Sequence, residues 1–198
     1  MRTKKLMNQS SQKSSLLDSL TQTLTESDYE TEEHVERTRE MAIRLGKALS
    51  LSDGELGKLA LLAVLHDIGK IAIPHSILLK PGKLTDAEWE IMKTHTEKGY
   101  RIASASKELK PIGEYILHHH ERWDGAGYPG GLAGDEIPLL SRIITVVDSH
   151  DVMVHDRPYH RAMSGEAAEA ELRRCSGTQF DPKLVEVFLE VLREERAS

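Results

Sequence analysis

Ten histidines stand in a chain of 198 residues that has only two phenylalanines and two tryptophans. His66-Asp67 closes the most apolar stretch of the chain, where an imidazole and a carboxylate are costly to bury unless something satisfies them. Helix neighbours point about 100° apart, so the pair can flank one metal ion or bridge two. The plainer alternative is that Asp67 caps a following turn and His66 packs. A second couple, His119-His120, directly precedes a glycine-rich stretch, and His95 lies between the two couples. His34 precedes them all, with Glu30 four residues earlier and so on the same helical face. Asp148 ends the apolar run Ile143-Ile144-Thr145-Val146-Val147, where an unpaired carboxylate is out of place. Imidazole plus carboxylate is the donor set of borderline divalent metals such as Mn, Fe, Co, Ni or Zn. The single cysteine, Cys175, excludes both a thiolate cluster and an internal disulfide. Metals held this way are phosphoester-cleaving devices, because they generate hydroxide near neutral pH and neutralise charge on phosphate oxygens.

The elements that must position these residues are helices. Apart from residues 1 to about 14, which are polar, and a short amphipathic segment from Leu16 to Leu24, the chain reads as one helical domain over residues 27–198. Residues 1–26 read as a flexible N-terminus with a short connector helix, whose apolar face serves plain packing, a link to an upstream domain or a homodimer. Capping-box spacing occurs at Ser27-Glu30, Ser52-Glu55 and Thr85-Glu88. Leu59 to Leu65 suits a buried helix better than a strand, since it is rich in Ala and Leu. Helices are expected from Thr85 to about Tyr100, Glu108 to His120, Leu139 to Met153 and Ser164 to Cys175. The last begins at Asp181-Pro182, an N-cap followed by proline. Trp123 to Pro138 holds five of the 14 glycines and must be a loop. Strand signals are nearly absent, so the fold class is all-α.

Composition narrows the setting. A formal net charge of −6 argues against a polymeric nucleic-acid partner. No apolar run approaches the roughly 18 residues of a membrane span, and the basic N-terminus lacks the apolar core of a signal peptide. The expectation is a soluble, cytoplasmic domain.

His66-Asp67-Ile68-Gly69-Lys70, together with His119-His120-Glu121-Arg122-Trp123-Asp124-Gly125-Ala126-Gly127-Tyr128-Pro129, resembles the HD-GYP family. These are all-helical HD-superfamily phosphodiesterases that act on the bacterial second messenger cyclic di-GMP. The resemblance runs from about Asp28 to Leu192 and includes Lys80-Pro81-Gly82-Lys83-Leu84-Thr85, Ile137-Pro138, Arg157-Pro158-Tyr159 and Phe180-Asp181-Pro182. It implies metal ligation by His34, His66, Asp67, His95, His119, His120 and Asp148, with Glu30 the extra carboxylate of members that hold three metals. Two or three divalent ions, Fe or Mn, are therefore expected. It implies Asp67 and Lys70 as catalytic residues, Lys70 lying at the scissile phosphate, and substrate contacts from Lys70, Tyr128, Arg157 and Arg161. Partners implied are cyclic di-GMP, an upstream sensor domain or a regulator in trans, and signalling proteins such as diguanylate cyclases (GGDEF proteins) docking on the GYP loop.

The chain departs from the family pattern at His160, where a basic residue is usual, and over Ser149 to His155. A neutral His160 weakens phosphate binding unless Arg161 substitutes or the site protonates the ring. That keeps open another cyclic dinucleotide as substrate, or a signalling adaptor with little turnover. His75, His118, His150 and His155 are read as surface or packed groups, Cys175 as a packing residue, and Trp89 and Met92 as core.

Overall fold

A computed structural model describes residues 31–156 and 161–197. The expected helix at Leu16–Leu24 and the Ser27–Glu30 capping box lie outside the described residues. The helix expected from that box is seen as α1, Glu32–Ala48, with Thr31 as its N-cap accepting from the His34 backbone N–H at 3.2 Å. The order continues with α2 Asp53–Leu65, a 3₁₀ turn Ile68–Ala72, α3 His75–Leu78, α4 Asp86–Lys93 and α5 His95–Ala105. A 3₁₀ turn at Lys110–Ile112, α6 Gly113–Leu117, a further 3₁₀ turn at Gly134–Glu136, α7 Leu139–Val154, α8 Gly165–Arg174 and α9 Pro182–Ala197 complete it. No strand occurs among the described residues.

Both remaining capping boxes form, Ser52 with Glu55 on α2 and Thr85 with Glu88 on α4. The α2 run is a helix, as its composition demanded. Its Leu59, Leu62, Ala63 and Leu65 are fully buried against α1 and α7. On α9 the expected face Leu184, Val185, Phe188, Leu189 and Leu192 closes the same core, and Cys175 packs beneath it.

Three expectations need correction. The helix read through Tyr100 is interrupted at Thr94, where two side chains claim the carbonyls that would continue it. Thr94 Oγ1 donates to Ile91 O at 2.6 Å and His95 Nδ1 to Met92 O at 2.8 Å. The helix read through His120 stops at Leu117, and His119 Nδ1 likewise takes the Ile116 carbonyl at 2.6 Å. Trp89 is not core: it is 46% exposed, while Met92 is half-buried. Both helix interruptions fall beside candidate ligands, which places His119 and His120 in a turn and His95 at the first position of α5 rather than mid-helix.

Candidate metal centre

α2 ends at His66, whose Nδ1 donates back to Ala63 O at 3.0 Å. Asp67 then leads into the 3₁₀ turn, where Gly69 passes directly under α5. A Cβ on Gly69 would lie 1.8 Å from the His95 carbonyl oxygen, so only glycine permits this approach. The close pass brings Asp67 Oδ1 to 3.1 Å from His95 Nε2 and 3.5 Å from His119 Nε2. His120 joins them, its ring 4.0 Å from that of His119 and 5.0 Å from that of His95. On the other side of Asp67 stand His66, His34 from α1 and Asp148 from α7. His34 Nε2 faces Asp148 Oδ1 at 3.4 Å.

The seven expected ligands within the described residues thus form two groups, Asp67–His95–His119–His120 and His34–His66–Asp148. Within each, the donor atoms lie within 4.8 Å of one another. Metal–donor bonds of about 2.1 Å place neighbouring ligands of one ion about 3.0–3.4 Å apart, and the observed spacings sit in or next to that range. Hydrogen bonding agrees. A backbone carbonyl can only accept, so the Nδ1 atoms of His66, His95 and His119 carry protons. Burial lowers the pKa of His119 and pushes that of His120 well down, which favours neutral rings. Neutral His119 then directs an Nε2 lone pair at Asp67 Oδ1, a buried acceptor with no hydrogen-bond donor. Acceptors converging on acceptors suit a cation between them, and this chemistry fits divalent metal ions.

Burial raises the Asp67 carboxyl, but the opposing effects, led by the Lys70 ammonium, outweigh it and hold the group well below its usual range. Lys70 Nζ lies 2.8 Å from Asp67 Oδ2. Tyr128 is half-buried in the GYP loop, its ring tilted on His120 at 5.0 Å. Burial and the Asp67 charge push its phenol well above the ordinary value, so it remains an O–H donor. The loop reaches this position through a cis Tyr128–Pro129 bond and through Gly127, where a Cβ would lie 2.3 Å from the Arg122 backbone nitrogen.

Of the remaining expected site residues, Arg161 is exposed, whereas Glu30, Arg157 and His160 lie outside the described residues. His75 is exposed, and His118, His150 and His155 are half-buried, outside both ligand groups.

Two residues important to the site escaped the sequence reading. Asp151 Oδ2 meets His34 Nδ1 at 2.6 Å, and Arg37 Nε and Nη2 donate to its two oxygens at 2.6 and 3.0 Å. Its spacing of three from Asp148 on α7 was the available signal. Glu121 is buried and anchors the GYP loop by accepting from the Gly130 N–H at 2.6 Å.

A family profile described as HD domain matches residues 8–184. A cyclic di-GMP phosphodiesterase of Thermotoga maritima is 46% identical over 169 residues, which cover 84% of this chain and 46% of that protein. A cyclic di-GMP phosphodiesterase response regulator of Xanthomonas campestris is 45% identical, with 80% and 43% covered. A 3'3'-cGAMP-specific phosphodiesterase of Vibrio cholerae is 42% identical, with 81% and 31% covered. The chain therefore spans less than half the length of these curated relatives. Among solved structures, a cyclic GMP-AMP-specific phosphodiesterase of V. cholerae aligns with a TM-score of 0.71 at 27% identity, covering 91% of this chain and 49% of that one. The PgpH HD domain of Listeria monocytogenes, at 18% identity and a TM-score of 0.64, shares the fold. The chain belongs to the HD domain family, and its paired motifs place it among the HD-GYP proteins.

Proposed function

We propose that this chain hydrolyses cyclic di-GMP to the linear dinucleotide pGpG, and onward to GMP, using two or three divalent ions, Fe or Mn. The observation that carries the reading is the pair of buried ligand groups meeting at Asp67, with Lys70 at the same carboxylate. His34, His66 and Asp148 would hold one ion, His95, His119 and His120 a second, and Asp67 would serve both. Bound there, such ions supply Lewis acidity for phosphoryl oxygens and a source of hydroxide near neutral pH.

The chain's own groups supply the rest. Lys70 is a compact positive charge beside Asp67, where it meets a phosphate oxygen entering the site and offsets the charge that builds during in-line displacement. Tyr128 offers a protonated hydroxyl at the pocket wall. The pocket beside the ligands, about 270 Å³, is lined by Trp89, Tyr128, Asp148, Ser149 and Gln179 and opens to solvent. Arg157 and Arg161 are assigned to substrate phosphate, and Glu30 to a third ion that supports the second cleavage.

A second reading is favoured by one observation: some relatives of similar identity are 3'3'-cGAMP-specific. The same site would then act on a mixed cyclic dinucleotide. The test is metal analysis of purified protein with a time course on both nucleotides after Mn or Fe loading, beside Asp67→Ala and Glu30→Ala. The expected result is pGpG and GMP from cyclic di-GMP with wild type, nothing with Asp67→Ala, and loss of the GMP step alone with Glu30→Ala. Preferential cleavage of the mixed nucleotide would install the second reading. Failure to take up metal would overturn both.

A further inference from the structure

A cyclic dinucleotide carries two phosphates and two bases, and the metal groups with Lys70 account for one phosphate. Arg157 and Arg161 are assigned to phosphate, so the proposed substrate reading, on which this inference rests, still leaves a base without a stacking partner, and the α4 lip of the pocket carries one. Trp89 is 46% exposed, the most exposed of the large apolar side chains among the described residues, yet it lines the same pocket as His119, His120 and Asp148. Its ring stands edge-on to Tyr128, with centroids 6.2 Å apart at 83°. Lys93, one turn further along α4, holds its ammonium 5.9 Å from the centre of the Tyr128 ring. Lys93 also pairs with Glu90 at 2.7 Å, but that carboxylate is 69% exposed, so the pair is weakly held and open to competition.

We infer that Trp89 and Lys93 form a second nucleotide half-site: the indole stacks a base and the ammonium meets the non-scissile phosphate. The chemistry matches each group. An exposed indole gives a π-face that any base can stack on, and an ammonium on a flexible stem is a point charge suited to a phosphate. Ile91, on α4 itself, and Ile71 and Leu79, on neighbouring elements, are also exposed, but they do not line the pocket. A protein-docking patch would need those residues. A nucleotide seat needs Trp89 and Lys93 alone.

No residue of α4 is fully buried, so substitutions there leave the core intact. The experiment uses the full chain loaded with Mn and compares wild type, Trp89→Ala, Trp89→Phe and Lys93→Gln on cyclic di-GMP and on bis(p-nitrophenyl) phosphate, a diester with one phosphate and no base. The expected result is a rise of about tenfold in KM for cyclic di-GMP with Trp89→Ala and Lys93→Gln, kcat within twofold, and rescue by Trp89→Phe. Turnover of the synthetic diester by Lys93→Gln should not change, since that substrate has no second phosphate. Stopped-flow fluorescence gives an independent readout: mixing with cyclic di-GMP should quench wild-type emission before turnover, and Trp89→Phe, which keeps Trp123, should lose that quench. Unchanged KM in both variants, or a parallel fall of Lys93→Gln on the synthetic diester, would overturn the half-site while leaving the substrate reading standing. A wild type that cleaves the synthetic diester and no cyclic dinucleotide would overturn the substrate reading, and the half-site with it.

Discussion

Asp151 holds His34 by one ring nitrogen while the other faces the candidate metal site: Oδ2 lies 2.6 Å from Nδ1, and Nε2 is 3.4 Å from Asp148 Oδ1. The carboxylate is itself gripped by Arg37 at both oxygens. Burial raises its pKa, but the bonds to His34 and Arg37 more than reverse this, and it stays ionised. A ligand ring oriented in this way loses roughly 10–100-fold in metal affinity when its outer partner is removed. Asp151→Ala should therefore weaken the His34–His66–Asp148 site by that factor, leaving the His95–His119–His120 site near wild type. Competition with a chelator of known affinity resolves the two classes, and equal retention of both ions in the variant would refute the assignment.

That residue also marks where the sequence stops being readable. The clustering of the candidate ligands was legible because imidazole and carboxylate in apolar runs need a reason to be there, and two linked motifs supply one. Asp151 carried no such mark. It sits in Ser149–His155, a segment read only as a departure from the family pattern, and its partners Arg37 and His34 lie more than 110 positions away in sequence. Trp89 was misread for a related reason. A large aromatic in a helix is core by default, and only the position of α4 at the pocket edge exposes it. The breaks at Thr94 and Leu117 were invisible because side-chain capping of carbonyls by Thr94, His95 and His119 depends on rotamers. The Leu59–Leu65 helix, the α9 face and the Thr85 and Ser52 caps were legible because local chemistry decides them.

Gly69 is the hinge between the fold and the ligand geometry. Its missing Cβ lets the HD turn pass under α5, with His95 O at 1.8 Å and Gly99 N at 2.5 Å from where a Cβ would stand. Both obstacles are backbone and cannot rotate away. Gly69→Ala should cost about 3 kcal/mol, the upper end of ordinary overpacking, and should part Asp67 from His95. Urea unfolding with metal stoichiometry tests both effects. A variant of wild-type stability holding its full complement of metal would show that the turn does not set the site.

On α9, Phe188 is fully buried in the common core and stacks edge-on with His150, with centroids 5.3 Å apart. Phe188→Ala should destabilise the domain by about 3–5 kcal/mol. The Arg44–Glu195 pair that ties the same helix to α1 is exposed on both sides. Arg44→Ala should cost under about 1 kcal/mol. Denaturation midpoints that ranked these two the other way round would mean that charge pairing, rather than core burial, holds α9 in place.

Glu121 ties the GYP loop to the ligands just before it. Its side chain is fully buried, with Oε1 accepting from Gly130 N–H at 2.6 Å and facing His118 Nδ1 at 3.4 Å. Removing it leaves a loop donor without its acceptor, a loss of about 1–3 kcal/mol. Because His120 directly precedes Glu121 and Tyr128 rests on His120, the loosened loop should also release the wall of the pocket. Glu121→Ala is therefore expected to speed amide exchange at Gly130 well before global unfolding and to raise KM for the nucleotide more than it lowers kcat. Gly130 exchange unchanged from wild type would mean that the loop is held without help from this carboxylate.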